Sequence, residues 1–322
     1  MIEATQKRFA VFAWALLAFN IPVILWGAYV RVSFSGDGCG AHWPFCAGQV
    51  IPRHMAAPMA IEFTHRMMTS ADTVGAILLC IWAFRLYPKA HGVRSYAVLS
   101  LLFLFLEALL GAGLVLFRYV AHDQSVGRAI YLSAHLTNTL LLLGALTTTA
   151  WMAGTGADRA PWRRVTSKFR YALGASVLVS ITGAIAALGD TLFPSTSLAG
   201  GLQQDFSMES GMLLRLRMFH PVIALLGTAI ILWAAASLFK REEGTRSRQA
   251  GIRVIVLVLA QIVAGITNIV LLAPIATQML HLFLADVLWI AVIVMSLEAA
   301  SLRVGHEPGL RQVEMRGAVE AS

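Results

Sequence analysis

Between residues 9 and 301 the chain is a series of long apolar runs separated by short polar stretches. Eight runs lie near 9–31, 60–85, 95–117, 129–153, 169–190, 213–239, 251–273 and 277–301. Each is long enough to cross a hydrocarbon core, which takes about 20 helical residues. The runs are continuous and do not alternate apolar with polar, so they predict transmembrane helices, not the strands of a barrel. The expected fold class is an all-α polytopic membrane protein with eight transmembrane helices. The head "MIEATQKRFA" is short and polar, and the run behind it is long enough to span, so no cleavable signal peptide is expected.

The apolar pattern is not interrupted at random. A polar linker, "GTGADRAPWRRVTSK" at 154–168, divides the chain, and the flanking halves resemble each other. The third run carries "EALLGAGLVL" (107–116) and the seventh "QIVAGITNIVL" (261–271); the first ends in "GAYVRV" and the fifth in "GAIAAL". Small residues at matching places let helices approach closely. This repeat predicts two pseudo-symmetric four-helix bundles, with domains at 1–158 and 159–322.

Composition agrees with a membrane location. Of 322 residues, 58% are hydrophobic and 13% charged, and the mean hydropathy is +0.72; soluble domains are about 45–50% apolar and about 25% charged. The net charge of +8 does not call for nucleic acid. If the N-terminus is cytoplasmic, most of the 25 lysines and arginines fall inside, among them Lys7, Arg8, Arg85, Lys89, Arg94, Arg163, Arg164, Lys168, Lys240, Arg241, Arg303 and Arg311. Arg31, Arg53, Arg66, Arg118, Arg128, Arg215 and Arg217 fall outside. That bias puts both termini in the cytoplasm, with basic loops facing anionic lipid.

Nine histidines are present. His42, His54, His91, His122 and His306 lie in loops or tails and read as solvated polar residues. The other four, His65, His135, His220 and His281, lie inside the even-numbered runs, four to seven residues from the outer end of each. At a rise of about 1.5 Å per residue they share a similar depth, about 6–10 Å. A lone intramembrane histidine is most simply a polar residue satisfied across helices. Four at one depth, two in each half, suit a planar cofactor gripped within a bundle, and opposed imidazoles suit haem, which takes axial ligands on opposite faces. Haem propionates need cations, for which Arg66, Arg215 and Arg217 are candidates, with interfacial snorkelling as the alternative.

The halves part company three residues before the first histidine of each pair, where Glu62 faces Arg217 in the alignment. An acid within the membrane is a functional candidate by default; a plain Glu62–Arg66 helix pair and a Glu62–His65 hydrogen bond are the structural alternatives. The asymmetry predicts proton chemistry at the first site and electron transfer at the second. Glu107, Asp72 and Asp286 are expected to make polar interhelix contacts. Cys39 and Cys46 lie in the first outside loop, "SGDGCGAHWPFCAGQVIP", where an oxidising compartment favours a disulfide. Unpaired thiols and, more weakly, a zinc site remain alternatives, while Cys80 reads as a small apolar residue.

These residues resemble haem A synthase over nearly the whole chain: the first loop with its cysteine pair, "EFTHR", "EALLGAGLVL", "SAHL", "ITGAIAALGDTLFPS", "MFHP" and "QMLHLFLADVL". The resemblance implies an oxidoreductase that converts a porphyrin methyl of haem O to a formyl group, giving haem A for terminal oxidases. It implies haem b on His220 and His281, with Arg217 nearby, and the haem O substrate on His65 and His135, with Arg66 nearby. Glu62 becomes the acid needed for activity, and Cys39 and Cys46 become a disulfide. Family members with a second cysteine pair carry it between the fifth and sixth runs; "TLFPSTSLAGGLQQDF" has none. The implied setting is the inner (cytoplasmic) membrane, with a membrane electron acceptor, a haem O synthase and a second copy of the chain as candidate partners. The main rival is a non-enzymatic bis-His dihaem cytochrome b, which leaves Glu62 and the cysteine loop without a role. A haem transporter is the third reading.

Overall fold

A computed structural model describes residues 2–207, 211–239 and 245–301. Nine α-helices account for most of them: α1 (Ile2–Val32), α2 (Ala57–Leu86), α3 (Gly92–Leu116), α4 (Val126–Thr155), α5 (Ser167–Leu192), α6 (Leu198–Phe206), α7 (Met212–Ala236), α8 (Thr245–Val270) and α9 (Ile275–Ser301). Eight of these, all but α6, are long and apolar enough to cross a membrane. The protein is thus all-α and polytopic, and among the described residues there is no β-strand beyond an isolated bridge between Cys46 and Gln49.

Helix ends follow local chemistry. Pro58 sits in the first turn of α2, where a missing N–H leaves nothing unsatisfied. Ser125 caps α4 by accepting from the Arg128 N–H at 3.2 Å. Gly156 closes α4 in the left-handed region, at φ +73, with its N–H on Met152. Several helices begin earlier than the apolar runs, because a first turn tolerates the polar and proline residues that a hydropathy reading discards. The fifth-to-sixth connection holds a helix that the apolar pattern did not register: α6 is short, and Ser197 caps it by accepting from the Gly200 N–H at 3.0 Å.

The closest helix pairings are α5 with α7, α3 with α4 and α8 with α9. One buried cluster gathers Phe9, Leu79, Leu104 and Leu143 from the first four helices and takes in Trp289, Ile293 and Leu297 of α9. A second gathers Phe169, Ile231, Val254 and Met295 from α5, α7, α8 and α9. Polar links join the two regions. The Trp289 indole donates to the Leu140 carbonyl at 2.8 Å, the Trp151 indole to Glu298 at 2.9 Å, and Arg31 to Thr191 at 3.2 Å. Large apolar side chains such as Leu225, Leu226 and Val263 are exposed, as expected where lipid is as apolar as leucine and gives helices no hydrophobic reason to hide them.

Candidate functional site

The four histidines stand in α2, α4, α7 and α9, all near the ends where these helices begin. Because α2 and α4 start earlier than the apolar runs, the histidines lie somewhat deeper than the sequence predicts, about 9–14 Å along the helix rise. His65 and His135 are near enough for their imidazoles to interact electrostatically, and so are His220 and His281. The structure therefore brings the histidines together two and two, one pair in each half of the chain.

Every one of these imidazoles lies over a glycine of a neighbouring helix. A Cβ added at Gly27 of α1 would stand 2.9 Å from the His65 ring, at Gly183 of α5 3.1 Å from His220, and at Gly265 of α8 3.0 Å from His281. At Gly111 of α3 it would stand 3.8 Å from His135. Gly27 and Gly183 open the matched "GAYVRV" and "GAIAAL" segments, and Gly111 and Gly265 belong to the matched "EALLGAGLVL" and "QIVAGITNIVL" segments. The small residues visible in the repeat are the floors on which the imidazoles rest.

Around the rings the polar partners differ. His220 Nδ1 lies 3.1 Å from the Thr182 hydroxyl. The Nδ1 atoms of His65, His135 and His281 are all buried with no hydrogen bond formed among the described residues. His135 Nδ1 nevertheless stands at ion-pair distance, 3.2 Å, from Glu107 Oε1. Glu107 also accepts from Asn138 Nδ2 at 2.6 Å and from the Thr139 hydroxyl. In the matched place in α8 stands Gln261, whose amide nitrogen is 3.4 Å from His281 Nε2. The sequence reading assigned Glu107 only an interhelix contact. Its place four residues before Gly111, matched by Gln261 before Gly265, was the available signal.

Glu62 and Arg66 turn to the first loop. Glu62, 3% exposed, accepts from the Cys39 N–H at 2.8 Å and from an Arg66 Nη2. Arg66 Nη1 donates to the carbonyls of His42, Pro44 and Phe45 at 2.9, 3.3 and 3.0 Å. Cys39 and Cys46 form a disulfide and are both buried. The Glu62–Arg66 helix pair, an alternative in the sequence reading, is thus formed, but as part of a larger device that binds the disulfide loop onto the start of α2. The carboxylate in contact with a core imidazole is Glu107, not Glu62.

Arg217 performs the equivalent tie in the other half. It donates to Asp190 at 3.0 Å and to Asp205 at 2.6 Å, drawing the end of α5 and the short α6 onto α7. Asp72 accepts from Asn20 of α1 at 3.0 Å, while the buried Asp286 has one oxygen with no partner among the described residues. His91 caps α3 and His122 stacks on Phe34 with centroids 4.4 Å apart, whereas His306 lies outside the described residues, as do Lys240, Arg241, Arg303 and Arg311.

Comparison with known proteins gives the geometry a setting. A family model for the COX15-CtaA group, described as cytochrome oxidase assembly protein, matches residues 10–293. The chain belongs to this family. A relative from Thermus thermophilus, named protoheme IX farnesyltransferase, is 37% identical over 317 residues, which is 98% of this chain and 51% of that protein. Proteins named heme A synthase match shorter stretches. One from Halalkalibacterium halodurans is 40% identical over 97 residues, 30% of this chain and 33% of its own. One from Geobacillus kaustophilus is 36% identical over 110 residues, 34% of this chain and 35% of its own. The chain thus spans about half the length of the Thermus relative. The family agrees with the haem A synthase resemblance seen in the sequence.

Proposed function

We propose that this chain is a haem A synthase of the inner (cytoplasmic) membrane, with both termini cytoplasmic and two pseudo-symmetric bundles at 1–158 and 159–322. The observation that carries the reading is the quartet of glycine-floored histidines arranged as two pairs, only one of which has a member, His65, on the helix whose Glu62 ties down the disulfide loop. Each pair fits a porphyrin iron. Two opposed imidazoles supply axial ligands, glycine gives the rings room, and unpartnered Nδ1 atoms on His65 and His281 mark imidazoles whose place is set by something other than a protein hydrogen bond. No group of three or more His, Cys, Asp or Glu side chains that could hold a bare ion occurs among the described residues, which suits a ring that brings four of its own nitrogens.

On this reading His220 and His281 hold haem b, which supplies one-electron transfer when bound. His65 and His135 hold the substrate, haem O. Oxidation of its methyl balances as R–CH3 + H2O → R–CHO + 4 H+ + 4 e−, through the hydroxymethyl stage after two electrons and two protons. The electrons pass to a membrane electron acceptor. Glu62 takes up the protons. Its carboxylate is held between the Cys39 N–H and Arg66, so it is fixed in place and lies beside the loop that leads to solvent. Buried carboxylates with charged donors keep their position without reorganisation during reaction. Arg66 and Arg217 organise the mouths of the two sites through the loop and through α6; with these partners their part toward haem propionates is indirect.

The match to half of a longer protein named for farnesyl transfer to protohaem supports a haem O synthase as partner, since that chemistry supplies this substrate. The test is pigment analysis of purified chain supplied with haem O. Hydroxymethyl and formyl products should form in the wild type and be absent in Glu62→Ala that still retains haem. Two haem b per chain, with haem O left unchanged, would establish the dihaem cytochrome instead.

A further inference from the structure

The repeat places a carboxylate and its neutral counterpart at one position. Glu107 in α3 and Gln261 in α8 each stand four residues before the glycine under a histidine, Gly111 and Gly265. Their surroundings differ as much as their charge. Glu107 is fastened by Asn138 and Thr139 and lies 3.2 Å from His135 Nδ1. Asn138 in turn donates to the Phe103 carbonyl at 2.8 Å, so the carboxylate is braced from both α3 and α4. Gln261 Oε1 and His281 Nδ1 are both buried without a partner among the described residues. The Gln261 amide nitrogen stands 3.4 Å from His281 Nε2, and no charge lies behind that ring among the described residues.

We propose that Glu107 is a positioning residue that holds His135 by Nδ1, turns Nε2 toward the porphyrin iron, and makes the N-terminal haem harder to reduce than the C-terminal one. The inference rests on the bis-histidine reading of the two sites. A carboxylate behind a metal-bound imidazole fixes its tautomer and raises its basicity, whereas a neutral amide does only the first. A more basic axial ligand stabilises ferric over ferrous iron, and ligand and hydrogen bonding are the levers by which a protein sets haem potential. A poorly solvated setting strengthens the effect, because the charge is little screened; the Glu107 side chain is only 16% exposed. The two sites are then ordered in potential so that electrons leaving the N-terminal site run downhill to the C-terminal one. The direction of flow is set by one atom pair, Glu107 against Gln261, and not by the ligands, which are the same in both halves.

The test uses the full chain in detergent, loaded with haem b as probe, with optical redox titration of both haems and low-temperature electron spin resonance. His65→Ala and His220→Ala backgrounds assign each signal. Glu107→Gln should shift the ferric-to-ferrous ratio of the N-terminal haem about tenfold toward ferrous at fixed potential, about 59 mV for a one-electron couple, and leave the C-terminal haem unmoved. Gln261→Glu should move the C-terminal haem the opposite way, and it decides the matter if Glu107→Gln loses its haem. Retained haems with unchanged potentials in either variant overturn the proposal, as does a Glu107→Gln protein that is only less stable. An N-terminal haem spectrum indifferent to His135→Ala overturns the ligand assignment itself, a separate failure.

Discussion

In α1 and α5 a glycine lies under the histidine of the next long helix, and α3 and α8 do the same for the second histidine of each pair. Yet three residues before His65 stands Glu62, and three before His220 stands Arg217; four before Gly111 stands Glu107, and four before Gly265 stands Gln261. What the halves share is steric and what they do not share is electrostatic. Steric features set whether a flat ring and two imidazoles can fit. Charges set what the fitted group does. A duplicated bundle that keeps the first and changes the second can divide one reaction between two similar sites.

The comparison is broken most severely at the imidazoles. His65→Ala and His135→Ala should each remove the N-terminal haem and spare the C-terminal one, with His220→Ala and His281→Ala doing the reverse. Haem-to-protein stoichiometry and the absorption spectrum measure this. If each substitution emptied both sites alike, the two halves would not be separate sites.

Next come the two mouth devices. Glu62→Ala leaves Arg66 beside three carbonyls without its carboxylate and strips the Cys39 N–H of its acceptor. Arg217→Ala leaves Asp190 and Asp205 facing each other. Removing one member of a mostly buried pair costs about 3–5 kcal/mol, so thermal unfolding in detergent should fall in both. The consequences then diverge. Glu62→Ala should speed reduction of the Cys39–Cys46 disulfide by a mild thiol, and Arg217→Ala should leave that rate unchanged while opening α6 to protease. Equal effects of the two on disulfide reduction would dissolve the distinction between the mouths.

The sequence made the frame legible for a physical reason: a span of hydrocarbon admits only long apolar helices, so eight runs imply eight crossings. The histidines were legible because they are costly polar exceptions on an apolar background. Partners were harder. A sequence shows that Arg66 and Arg217 sit beside a core histidine but not which acceptor claims them, and here loop carbonyls, Glu62, Asp190 and Asp205 do. The helix α6 escaped because nine residues with two glycines and an aspartate make no apolar run. Glu107 was visible as an acid, but its tie to His135 depends on how α3 and α4 rotate against each other, which periodicity does not fix.

The smallest effects test the shared element itself. Gly27→Ala, Gly183→Ala and Gly265→Ala each place a methyl about 3 Å from an imidazole. The ring must move or strain, at a cost of about 1–3 kcal/mol, and the loss should appear as weaker haem retention at that site alone. Gly111→Ala is different, since its methyl would meet His135 at 3.8 Å, an ordinary contact. Alanine also favours the helix over glycine by about 1 kcal/mol. This variant should therefore keep its haem and melt at the same or a slightly higher temperature. Heat-induced haem release from the four variants gives the readout, with three falling and one holding. A fall in Gly111→Ala as large as in Gly265→Ala would mean that α3 lies closer to α4 than the 3.8 Å contact allows, and that glycine, not Glu107, is what fixes His135.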